Sequence, residues 1–79
     1  MKTIYSERKG YMENSVEVEL LSDKGLYHVL DVTTTINGHE QNEVTAYKYN
    51  LDNNLIRLAI QEFDAAVAAH PVLGKDKLE

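Results

Sequence analysis

Hydrophobic and polar residues alternate with period two from Ser15 to Leu21. Val16, Val18 and Leu20 point one way, and Ser15, Glu17, Glu19 and Leu21 the other, which predicts a half-buried strand. Asp23-Lys24-Gly25 then reads as a three-residue turn with glycine at the left-handed position. That turn sets Ser22 opposite Leu26, Val18 opposite Leu30 and Val16 opposite Val32. Leu26 to Ile36, rich in β-branched and aromatic residues, reads as the central strand. Asn37-Gly38 suits a two-residue hairpin. A three-residue loop, Ile36-Asn37-Gly38, sorts the faces better, because Leu30 then faces Val44 and His28 faces Ala46, so this register is the expected one. A third strand runs from about Asn42 to Tyr49. Asn50-Leu51-Asp52-Asn53 follows as a turn and helix cap.

From Asn54 to His70 the period becomes helical. Ile56, Ile60, Phe63 and Val67 recur at three- and four-residue spacing, flanked by Leu55, Ala59 and Ala66, with Arg57, Gln61, Glu62 and Asp64 on the other side. Pro71 disfavours the α conformation at His70, so the helix is expected to stop there. Residues 1 to 14 are ambiguous: Thr3-Ile4-Tyr5 suits a short strand, and Arg8-Lys9-Gly10 a turn. The predicted fold is α+β, a three-stranded antiparallel meander (β-β-β-α) with one C-terminal helix packed on one sheet face and room for an extra N-terminal strand. The helix is expected to cover Val16, Val18, Leu20, Leu26, Leu30, Val32, Val44 and Ala46. Residues 1–74 read as a single small domain and 75–79 as a flexible tail.

Composition narrows the class. At 79 residues the chain is near the lower limit for a self-sufficient core, and with no cysteine it has no disulfide or thiolate metal site to compensate. A hydrophobic content of 43% and a charged content of 27% are those of a folded domain rather than a disordered one. No apolar run approaches the roughly 18 residues that span a bilayer, and the opening residues lack the apolar core of a signal peptide. The expectation is a cytoplasmic protein without a membrane partner.

Catalytic signals are sparse. His28, His39 and His70 lie on three separate elements with no His-Glu-x-x-His spacing. No serine sits in a Gly-x-Ser-x-Gly elbow, and Gly10, Gly25, Gly38 and Gly74 are too scattered for a phosphate loop. A short sheet with one helix offers little concavity for a substrate. Neither enzyme activity nor a cofactor is expected.

The order β-β-β-α resembles that of integrase arm-type DNA-binding domains and of the β-β-β-α portion of double-stranded-RNA-binding domains. The resemblance covers element order only and implies nucleic-acid binding through the sheet face or the start of the helix. At those places this chain carries Glu17, Glu19, Asp31 and Glu43, and Asp52-Asn53-Asn54-Leu55-Ile56-Arg57. With a formal net charge of −5, it repels phosphate backbones, and nucleic acid is the disfavoured alternative.

The expected registers also arrange the sheet face that the helix leaves open. Glu17, Asp31 and Glu43 fall side by side, an arrangement that suits either a solvated acidic surface or, as a second alternative, a hard divalent cation. Leu21, Tyr27 and Tyr47, with Tyr49 beyond, form an apolar-aromatic patch. Such a patch is usually covered, either by Ile4, Tyr5 or Met12 of the same chain or by a partner or second copy. The function expected from sequence is a non-enzymatic protein-binding or homodimerising module that uses its open sheet face or edge.

Overall fold

A computed structural model of the protein describes residues 1–23, 27–48 and 52–78. The fold is α+β. Four antiparallel strands, β1 (Lys2–Tyr11), β2 (Asn14–Asp23), β3 (Tyr27–Ile36) and β4 (His39–Lys48), lie side by side in chain order. An α-helix, α1 (Asp52–Ala69), follows, and a 3-10 helix, Leu73–Leu78, closes the described residues.

The N-terminal segment is a full ten-residue strand. Its hairpin turns at Met12-Glu13, between the paired Tyr11 and Asn14, and not at Arg8-Lys9-Gly10. The sequence hides this turn because neither Met12 nor Glu13 is a turn residue, although Met12 adopts a left-handed φ of 57°. Gly10, at φ 84°, stays in the ladder opposite Ser15. A side chain there would run into the backbone oxygen of Asn14. The second hairpin pairs Asp23 with Tyr27, so Val18 faces Val32 and Leu20 faces Leu30. This register lies two residues from the expected one. A slip of two preserves the faces, and Val16, Val18, Leu20 and Leu30 are all buried as expected. The turn itself, with Gly25 and Leu26, lies outside the described residues.

The third hairpin departs further. Ile36 pairs with His39 across a two-residue turn, and Asn37 and Gly38 have φ of 51° and 86°. Two positive values are what a type I′ hairpin requires. Leu30 therefore faces Thr45, and Val32 faces Glu43. Every side chain of β4 is on the opposite face from the expected one, and Val44 is 55% exposed instead of buried. The expected register assumed that β4 buries an apolar face. Three inter-strand spacings span about 14 Å, whereas a helix with its side chains is about 10–12 Å across. Helix α1 lies against β1, β2 and β3. With Tyr47 alone among the β4 side chains turned into the core, little burial selects the register, and the turn chemistry of Asn37-Gly38 sets it.

On the covered side, Leu55, Ala59, Phe63 and Val67 form the buried stripe of α1, packed with Val16, Val18, Leu20, Leu30 and Leu73. Ile56 is partly buried, whereas Ile60 is 41% exposed and stands outside the stripe. The helix ends at Ala69, one residue before the expected stop. Here His70 is buried and ties three segments together. Its Nδ1 accepts hydrogen bonds from the backbone N–H groups of Val72 (3.0 Å) and Leu73 (3.1 Å), and its Nε2 donates to the carbonyl of Thr35 in β3 (2.7 Å). A ring nitrogen that accepts twice carries no proton, which assigns the hydrogen to Nε2. His70 is thus a lock between the helix end and the sheet.

Candidate functional site

Each strand pair fixes which side chains share the face opposite α1. Across the sheet, Arg8, Glu17, Thr33 and Asn42 make one row; Ser6, Glu19, Asp31 and Val44 the next; Thr3, Leu21, Val29 and Ala46 the third; and Asp23, Tyr27 and Lys48 the last. The third row is apolar from β2 to β4. Val44 lies diagonally beside it, so an apolar strip reaches the outer edge of the sheet.

The expected aromatic patch does not assemble on this face. Leu21 and Tyr27 are there, half-buried and exposed respectively. Tyr47 pairs with His28 on the helix side and packs against the core cluster. It changes sides for the reason that moved Val44: β4 is shifted by one residue, and one residue reverses a strand's faces. Tyr49 lies outside the described residues. Val44 and Ala46 take the places on the open face that had been assigned to the helix side.

The acidic row also changes. Glu43 points to the helix side, opposite Val32, so it does not stand beside Glu17 and Asp31. The Asp31 carboxylate accepts from Asn42 Nδ2 at 2.6 Å, and the same amide donates to Thr33 Oγ1 at 2.8 Å. Asp31 is held within the sheet's own polar network. Among the described residues, no group of three His, Asp or Glu side chains is placed to hold a metal ion. Glu17, Glu19, Asp23, Asp31 and Glu40 outnumber Arg8 and Lys48 on this face, an excess that opposes a phosphate backbone.

The surface of the described residues includes two concave places. One, of about 330 Å³, sits where the β1–β2 turn meets the C-terminal segment, lined by Gly10 to Asn14, Val72 and Leu73. Tyr11 and Met12 stand exposed at its rim. The other, of about 440 Å³, lies over Val32, Thr34, Gln41, Asn42 and Glu43, beside the β3–β4 flank. Neither gathers histidines or a nucleophile. The two hairpin turns at this end of the sheet are joined, since Gly38 N–H donates to the Glu13 carbonyl (2.9 Å) and Asn37 N–H to Asn14 Oδ1 (3.0 Å).

The most distinctive surface is β4 itself. Apart from Tyr47, every residue from His39 to Lys48 is exposed. Its pairing with β3 runs without a bulge along all ten residues, and it contains no proline. Among the described residues no strand pairs with its outer side, which leaves a row of backbone N–H and C=O groups as a template for another strand. Residue-by-residue periodicity missed this surface because it assumed the helix would lie over β4. The available signal was Asn37-Gly38, whose preferred turn alone specifies the observed register. No protein-family model matches the chain, and no match is found among curated proteins or solved structures.

Proposed function

We propose that this chain is a non-enzymatic binding module that takes up a further β-strand along the outer edge of β4. The observation that carries this reading is the long, unbulged edge strand, exposed on both faces and bordered by the apolar strip of Leu21, Val29, Ala46 and Val44. Strand addition supplies main-chain hydrogen bonds for affinity, while side chains of one face discriminate between partners. Val44, Ala46 and Tyr27 serve as contact side chains on the open face. Tyr47 supports the strand from the helix side. The shallow concavities and the separation of the three histidines favour recognition over catalysis.

The reading is tested by photo-crosslinking in cells, with p-benzoylphenylalanine in place of Val44 or of Ser6. The expected result is a discrete protein adduct through position 44 and none through position 6, which lies on the other edge strand. Absence of an adduct at position 44 would remove the reading.

A further inference from the structure

We infer that the strand taken up by β4 is the β4 of a second copy, antiparallel, about a two-fold axis at Val44. The inference rests on the proposed role of the β4 edge and names its occupant.

A strand that pairs with its own copy must be self-complementary, because in an isologous contact residue i meets j and j meets i. In β4 the two charged residues of the open face are Glu40 and Lys48, and they stand four positions to either side of Val44. An axis at Val44 therefore sets Glu40 opposite Lys48 of the second copy, twice. It also sets Asn42 opposite Ala46, Val44 opposite itself, and, on the helix side, Glu43 opposite Thr45 and Gln41 opposite Tyr47. Neighbouring axes are worse. An axis at Glu43 stacks that carboxylate against its own copy, which is destabilising. An axis at Thr45 moves Lys48 from Glu40 to Asn42.

The backbone agrees. Ile36 and His39 close a two-residue hairpin and so form a hydrogen-bonded pair. By alternation, His39, Gln41, Glu43, Thr45 and Tyr47 turn their N–H and C=O groups toward β3. Glu40, Asn42, Val44, Ala46 and Lys48 turn theirs outward. The axis at Val44 pairs these outward residues with one another. The axis runs perpendicular to the sheet, so both helices fall on one side of a continuous eight-stranded sheet, and the apolar strips of the two copies meet at the Val44 pair on the other.

The test is solution mass by light scattering on the full chain, with charge reversal at the edge. The wild type is expected at twice the 9.0 kDa chain mass. Glu40→Lys or Lys48→Glu alone each places like charges opposite one another at two positions and weakens the dimer about tenfold. The double variant Glu40→Lys/Lys48→Glu restores it. Both residues are exposed, and circular dichroism verifies that each variant is folded. As a second measurement, Val44→Cys is expected to give a disulfide-linked dimer on mild oxidation, since paired Cα atoms lie about 5.5 Å apart. Ala46→Cys gives none, because its two copies are about 14 Å apart along the strands. A wild-type monomer, a dimer indifferent to both reversals, a failure of the double variant to recover, or equal crosslinking at 44 and 46 would each overturn the inference. A monomer that still crosslinks to a different protein through position 44 defeats the self-pairing and leaves the edge reading standing. A monomer with no adduct at 44 defeats both.

Discussion

The two outer strands of the sheet, β1 and β4, have the same length and the same kind of neighbour, yet they meet solvent very differently. β1 carries a register shift between Thr3 and Tyr5, three cations at Lys2, Arg8 and Lys9, and a glycine in left-handed conformation. It also lies within reach of α1, with Ile4 and Tyr5 packed against the core. Bulges and lysines are devices that keep a sheet edge from pairing. β4 has no bulge, one lysine at its end and, apart from Tyr47, no burial. The lesson is that one helix cannot serve both edges of a four-stranded sheet. The edge strand near the helix sets Ile4 and Tyr5 against the core, whereas the far edge strand sets only Tyr47 there.

The largest effect that sharpens this contrast comes from the covered half. Leu20, fully buried between Tyr5 and Leu30, is expected to cost about 3 kcal/mol when changed to alanine. Val44→Ala on β4 is expected to cost less than about 0.5 kcal/mol in the monomeric chain. Urea titration at a concentration low enough to keep the chain monomeric separates them. Equal losses would mean that β4 is as much a part of the core as β2.

Next is the pair of left-handed glycines. At Gly10 an added Cβ meets backbone, and Gly10→Ala is expected to lose about 2 kcal/mol or more. At Gly38 nothing lies within 4 Å, so Gly38→Ala carries only the conformational cost, about 1 kcal/mol. Thermal unfolding ranks the two, and the reverse order would show that the guarded edge does not depend on the close packing at Gly10.

A smaller change has the opposite sign. Met12 holds φ 57° with a long side chain 78% exposed. Met12→Gly relieves that conformation and is expected to raise stability by up to about 1 kcal/mol. A loss on the same denaturation assay would mean that the Met12 side chain stabilises the β1–β2 turn by contacts that outweigh its backbone.

The smallest effect is confined to alkaline pH. The Tyr5 hydroxyl donates to Glu7 Oε1 at 2.5 Å. That hydrogen bond first, then burial and the negative charges of Glu7 and Asp64, push the phenol up to about 12 from 10.0. A raised value favours the protonated form in the folded chain. The contribution is full below pH 10 and lost as pH climbs from 10 through about 12. Ultraviolet titration of tyrosinate should show a late component that vanishes in Tyr5→Phe. Its persistence in that variant would assign the late component to a tyrosine other than Tyr5.

The alternation of Val16, Val18 and Leu20 was enough to place β2 and the inner face, because a buried stripe tolerates only one parity. The same reasoning found α1, since Ile56, Ile60, Phe63 and Val67 recur at helical spacing and Pro71 stops it, although the buried stripe runs through Leu55 and Ala59 and leaves Ile60 exposed. It failed for β1, whose charges and unmarked turn at Met12-Glu13 imitate a loop. At the candidate site, Leu21 and Tyr27 were legible on the open face. Tyr47 was not, because its side depends on a one-residue choice at Asn37-Gly38.

By itself, then, the amino-acid sequence determined an antiparallel sheet, one helix and the part of the core that Val16, Val18, Leu20, Leu30, Phe63 and Val67 supply. These follow from local periodicity and from the need to remove apolar side chains from water. The tertiary structure alone decided which strands the helix covers, which face β4 presents and which edge stays open. A helix about 10–12 Å wide cannot span a sheet about 14 Å across. Where burial ends, register passes from side-chain patterning to the geometry of a two-residue turn.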